Sequence, residues 1–240
     1  MARPKKKPEY DPNKIMEELL VSVTESYAET GELKLTSEEF DMSALKIRKL
    51  LITAGAYSSD ISDEVNELYK MGKSLEEIQS ITGLGKSSIN GYLPYTKTIY
   101  KPEEVSLNAD RIRKYRERRK AVSEIREDVC EGNLWNAVVA FQKYPFYTAS
   151  GLAFMYELKK GRNGGFNREI IVSRRKESKS IVWSSFMLAF HNAINMKGQV
   201  ISKPKALGDI RGISYIYPML FRFGLLEVPD NVKKKMKNIK

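Results

Sequence analysis

Apolar residues in the first hundred positions recur at helical spacing in short blocks separated by turn residues. Ile15, Met16, Leu19, Leu20, Val23 and Tyr27 form one stripe, which predicts a helix capped by Asn13 and running to about Thr30. A short helix ending at Glu38-Glu39-Phe40 and a third capped by Ser43 follow, with Ile47, Leu50 and Leu51 as core positions. Asp41 stands at the corner between them, and aspartate tolerates the left-handed conformation such a corner needs. After a linker with Gly55, Ser58 and Ser59, the residues Ile61, Val65, Leu68 and Tyr69 pattern a helix as far as Gly72. The next, Ser74 to Thr82, stops at Gly83, because glycine adopts the left-handed helix end without a Cβ penalty. A last helix in this half covers Lys86 to Tyr100, with Ser87 or Ser88 as its cap. Its apolar face, Ile89, Tyr92 and Leu93, is expected to pack on Leu75, Ile78 and Ile81.

The second half changes character. Residues 102–131 read as one charged helix with a thin stripe of Tyr115, Val122, Ile125 and Val129. Three roles fit it: a helix along a phosphate backbone, a short dimerising coil, or a solvated connector. Arg118 falls where a coil wants an apolar residue, which favours a connector with phosphate contact. Beyond Gly132 come an amphipathic helix (Leu134, Trp135, Val138, Val139, Phe141), an alternating strand (Ala153–Leu158), a turn (Gly161–Gly165) and a partner strand (Arg168–Ser173). A helix capped by Ser180 and an apolar helix from about Ile213 to Phe223 close the pattern. The expected fold is mainly α: an N-terminal tandem helix-turn-helix bundle, a long connecting helix, and a small C-terminal α+β domain with a β-hairpin. The expected boundaries are a flexible basic arm at 1–12, helix-turn-helix units at 13–57 and 58–101, the connector at 102–131, the α+β domain at 132–228 and a basic tail at 229–240.

The corner at Gly83 carries the sharpest chemical signal. One side of the following helix is apolar, and the other offers Lys86, Ser87, Asn90 and bare backbone at Gly85 and Gly91. Small, polar and cationic groups that donate and accept hydrogen bonds suit entry into a major groove. The run Gly83-Leu84-Gly85-Lys86-Ser87-Ser88-Ile89-Asn90-Gly91-Tyr92-Leu93-Pro94 resembles the C-terminal helix-turn-helix of serine invertases and resolvases. The resemblance implies a DNA-reading helix in which Ser87 touches phosphate and base edges. Gly91 stands where that family often places a guanine-contacting arginine, so base preference does not carry over. The likeness covers only about twenty residues, without the recombinase catalytic domain, and implies no recombinase activity. In the first motif the corresponding base-reading candidates are Ser43, Ala44, Lys46, Arg48 and Lys49. The tandem arrangement resembles the DNA-binding halves of paired domains and of many transposases, and could span about one turn of duplex. For the first motif the alternative is an ordinary three-helix bundle with a solvated basic face.

Charge shifts attention to the other half. The formal net charge is +11, from 41 Lys/Arg and 30 Asp/Glu. Residues 1–100 hold 13 basic and 16 acidic side chains, so the remaining 28 and 14 make the second half the polyanion-binding candidate. Phosphate candidates are Arg113 and Arg116 on the long helix, then Arg174, Arg175, Lys176, Lys179, Lys203 and Lys205. In the arm, Arg3-Pro4-Lys5-Lys6-Lys7-Pro8 is similar to an AT-hook core, although Ala2 replaces the usual leading glycine. That likeness places Arg3, Lys5 and Lys6 in a narrow minor groove. The C-terminal strings SRRKESKSI and PKALGDIRGISYIYP resemble a module of Gram-positive mobile elements with no established activity, so the likeness implies a context but no mechanism. The alternative is a cationic surface around a structural domain.

Little else points to chemistry. One His and one Cys cannot form a zinc site, and Cys130 has no sequence-local base. Gly83-Leu84-Gly85-Lys86-Ser87 lacks the upstream glycine and the strand of a phosphate-binding loop. A single cysteine excludes an intrachain disulfide, and no apolar run approaches membrane-spanning length. The expectation is a cytoplasmic, cofactor-free, non-enzymatic protein with no membrane partner. Sequence-specific binding of double-stranded DNA, as a transcriptional regulator or accessory factor of a mobile element, is the expected function, with homodimerisation left open. A DNA-cleaving or strand-transfer enzyme is the alternative, although Glu157, Glu169, Glu177 and Asp209 are the only acids between Gly132 and Arg211. A protein-interaction adaptor is a third.

Overall fold

The computed structural model describes residues 10–95, 102–162, 164–173 and 180–237. The chain is mainly helical, with two small antiparallel sheets in its C-terminal part. It divides into two compact units, Met1–Tyr115 and Arg116–Lys240.

The first unit opens with α1 (Pro12–Thr30), α2 (Leu33–Phe40) and α3 (Ala44–Thr53). Asp11, rather than the expected Asn13, caps α1; its carboxylate accepts from the backbone N–H of Asn13 at 2.9 Å, and Pro12 occupies the first turn. Asp41 takes the left-handed corner at φ 50°, as its sequence position predicts, and Ser43 caps α3 by accepting from the Lys46 N–H at 3.2 Å. Leu19, Val23, Phe40, Ile47, Leu50 and Leu51 close the core between the three helices. The first half of α7 (Pro102–Glu127) adds Val105, Ile112 and Tyr115 to that core, so its early stretch is more than a solvated connector.

The second bundle of this unit is α4 (Asp60–Lys70), α5 (Leu75–Thr82) and α6 (Lys86–Tyr92). Its buried centre is Val65, Ile78, Ile89 and Leu93. Ile81 is not part of it; it is 54% exposed, because it points off the buried side of α5. Gly83 ends α5 at φ 69°, and Gly85, not a serine, stands at the start of α6. The helix stops at Tyr92 and Leu93 is extended, because Pro94 disfavours a helical residue before it. The expected continuation to Tyr100 is therefore shortened, and residues 96–101 lie outside the described residues. Ser74 and Glu77 form a reciprocal capping box at the head of α5. Ser74→Ala should lower the stability of this bundle by about 1 kcal/mol in chemical denaturation followed by helix signal.

In the second unit α8 (Glu131–Ala140), α9 (Trp183–Asn195) and α10 (Ile213–Arg222) share one apolar core with the sheets. Strands β1 (Phe146–Tyr147) and β2 (Ala153–Phe154) pair antiparallel. The predicted hairpin is β3 (Tyr156–Lys160) and β4 (Phe166–Val172), and β5 (Ile181–Val182) adds to β4. That short strand displaces Ser180 from its expected capping role; Val182 stands at the head of α9. The second half of α7 buries Ala121, Val122 and Ile125 here, whereas Val129 is 39% exposed. Residues 229–240, expected as a basic tail, include α11 (Asp230–Met236), whose Val232 and Met236 are buried in the core while Lys233, Lys234 and Lys235 stay exposed. Tyr156 and Tyr217 are buried whole and donate their hydroxyls to the carbonyls of Val138 and Ile201. Burial pushes the Tyr217 phenol up to about 12.

Candidate nucleic-acid interface

The α5–α6 corner holds its polar side outward. Ile78 and Ile89 anchor the pair from behind, while Gly85, Lys86, Ser87, Ser88 and Asn90 are all exposed. Nothing lies within 4 Å of where a Cβ on Gly85 would stand, so the backbone there is open to close approach. Lys86 pairs with Glu76 at 3.0 Å, both side chains largely exposed. That hydrogen bond holds the Glu76 carboxyl below the usual range. An exposed pair of this kind is weak and opens readily to a phosphate. The Asn90 amide donates to the Lys86 carbonyl at 3.0 Å. Ser88, suggested by sequence only as a cap, is exposed beside Ser87 and joins the candidate surface.

Gly91 departs from expectation. It is buried, and a Cβ built on it would lie 2.7 Å from Arg48 Nη2 and 3.1 Å from Leu45 Cδ1. Its bareness admits α3, not a nucleic acid. Arg48 Nε donates to the Gly91 carbonyl at 3.0 Å and its guanidinium lies 4.0 Å from the Tyr92 ring centroid. Lys49 Nζ donates to the Asn90 carbonyl at 2.6 Å. Two cations thus satisfy carbonyls at the end of α6, where the helix dipole favours positive charge. Lys46 pairs with Glu104 at 2.9 Å and lies 5.4 Å from the Tyr95 ring centroid. Lys46, Arg48 and Lys49 are all half-buried by these contacts. Of the first motif's candidates, Ser43 and Ala44 remain exposed.

This packing also changes the geometry of the tandem. Helices in contact have axes about 8–10 Å apart, whereas successive major-groove half-sites lie about 34 Å apart. α3 and α6 touch, so they cannot occupy two grooves one turn apart. No sequence signal foretold these contacts, which join residues more than forty positions apart.

The cationic candidates fall in several places. Arg113 pairs with Asp110 and is exposed; Arg116 is exposed as well. Lys203 and Lys205 are exposed on either side of Pro204, at a 3₁₀ turn. Arg3, Lys5, Lys6, Arg174, Arg175, Lys176 and Lys179 lie outside the described residues. Among the described residues no helix is long and apolar enough to cross a membrane. No family model, curated protein or solved structure matches the chain.

Proposed function

We propose that the protein binds double-stranded DNA in a sequence-dependent way, as a regulator or accessory factor, reading base edges through α6. The observation that carries this reading is the exposed run Gly85, Lys86, Ser87, Ser88 and Asn90 on a helix anchored from behind by Ile78 and Ile89. Such a ridge presents donors, acceptors and one cation with no bulky side chain in the way. The neighbouring helices oppose non-specific binding, because α4 and α5 expose Asp60, Asp63, Glu64, Glu67, Glu76 and Glu77. Electrostatic affinity then has to come from the basic second half, including Lys203 and Lys205.

Electrophoretic or anisotropy titration against duplexes selected from a random pool tests the proposal. A selected duplex should bind more tightly than its scrambled counterpart, and equal binding would remove the sequence-reading role. Charge reversal in Lys203→Glu with Lys205→Glu should weaken selected and scrambled duplexes alike. It should also lower the slope of log affinity against log salt by about one for each phosphate no longer neutralised. An unchanged slope would place the phosphate grip elsewhere.

A further inference from the structure

Both tryptophans of the chain meet at one place on the second unit. The Trp135 and Trp183 rings stand nearly perpendicular, 85° apart with centroids at 5.1 Å, and so form a two-walled corner. Phe186 stacks on Trp183 at 5.4 Å and fixes that wall. Glu131, in the first turn of α8, supplies a carboxylate: its Oε1 accepts from Trp183 Nε1 at 3.0 Å. That bond, together with the neighbouring Arg168, holds the Glu131 carboxyl below its usual range. Two indole faces and an acid are the ingredients of a cation-binding cage.

The corner already contains a cation. The Arg168 guanidinium lies 5.6 Å from the Trp135 centroid and 5.5 Å from that of Trp183, and donates to Glu131 Oε1. Two features set this apart from a buried strut. The Arg168 and Glu131 side chains are 52% and 45% exposed, so solvent reaches the mouth of the corner, while Trp183 behind them is 8% exposed. Arg168 also sits on an irregular stretch of β4. Lys160 pairs with Phe166 and Leu158 with Ile170, so Asn167, Arg168 and Glu169 face the single residue Lys159. A bulge re-aims a side chain and loosens the local ladder, and such bulges cluster beside functional sites.

We infer that the Trp135–Trp183–Glu131 corner is a binding site for an arginine side chain of a partner protein, held in this structure by the chain's own Arg168 as an internal competitor. Arginine fits better than lysine because a planar guanidinium lies against an indole face and donates to a carboxylate in the same pose. The site is independent of α6, so its failure would leave the DNA reading intact.

The test uses the full chain, whose only indoles are in the site, with N-acetyl-arginine amide as probe and tryptophan fluorescence plus the two indole N–H resonances as readout. Arg168→Ala and Arg168→Met should give a saturable response at concentrations at least about tenfold below those needed with the wild-type chain. Adding Glu131→Gln to either should abolish it, and the neutral citrulline analogue should give none. The inference is overturned if neither variant responds better than wild type, or if citrulline matches arginine. It is equally overturned if both variants lose the dispersed indole signals, since Arg168 would then be a strut.

Discussion

Joint replacement of Lys86 and Asn90 by alanine should weaken binding to a selected duplex by about 30-fold or more, because two base-edge interactions at about 1–3 kcal/mol each are removed together. Binding to a scrambled duplex should fall only about threefold, the share of one phosphate-range charge. The asymmetry follows from position. Both side chains stand exposed on α6, remote from the four-residue centre that holds the bundle together. Removing them costs the fold little: Lys86 gives up one exposed ion pair, and Asn90 one bond to a carbonyl of its own helix. Circular dichroism should therefore be unchanged. Equal weakening on both duplexes would mean that α6 contributes charge and no base reading.

Ile78→Ala should have the larger structural effect. Ile78 is wholly buried in a bundle whose centre has only Val65, Ile89 and Leu93 beside it. Truncation of a buried isoleucine costs about 2–5 kcal/mol, and a core this small has few neighbours to refill the space. Hydrogen exchange should show α4–α6 losing protection while α8, α9 and α10 keep theirs, and duplex selectivity should vanish with it. Ile81→Ala, three residues on, should change stability by no more than about 0.5 kcal/mol, since that side chain is 54% exposed. Similar destabilisation from both would contradict the buried face assigned to α5.

The contrast between those isoleucines marks what local pattern can convey. Period and capping locate nearly every helix, because Ser43, Asp41 and Gly83 act within a turn of where they stand, whereas Pro94, which ends α6 at Tyr92, lies inside the helix expected to reach Tyr100. Hairpin strands were legible for the same reason, from alternation around Gly161–Gly165. Contacts between distant segments were not. Gly91 reads as open backbone in isolation, and only the approach of Arg48 and Leu45 fills it. Lys46, Arg48 and Lys49 read as a groove-facing cationic row until α6 and Glu104 engage them. Val232 and Met236 are spaced by one helical turn, but four intervening or flanking lysines made the segment look like a solvated tail. The tryptophan corner depends on Glu131, Trp135, Arg168 and Trp183 meeting from three elements, which no local window contains.

For the proposed function to hold, α6 has to distinguish one duplex from another. The most direct measurement is the ratio of dissociation constants for a duplex selected from a random pool and for the same duplex scrambled, at about 0.15 M salt where bare charge attraction is screened. Base reading by α6 predicts a ratio of about a thousand or more, reduced about tenfold or more in the Lys86→Ala/Asn90→Ala chain. A ratio near one in the wild-type chain would contradict it.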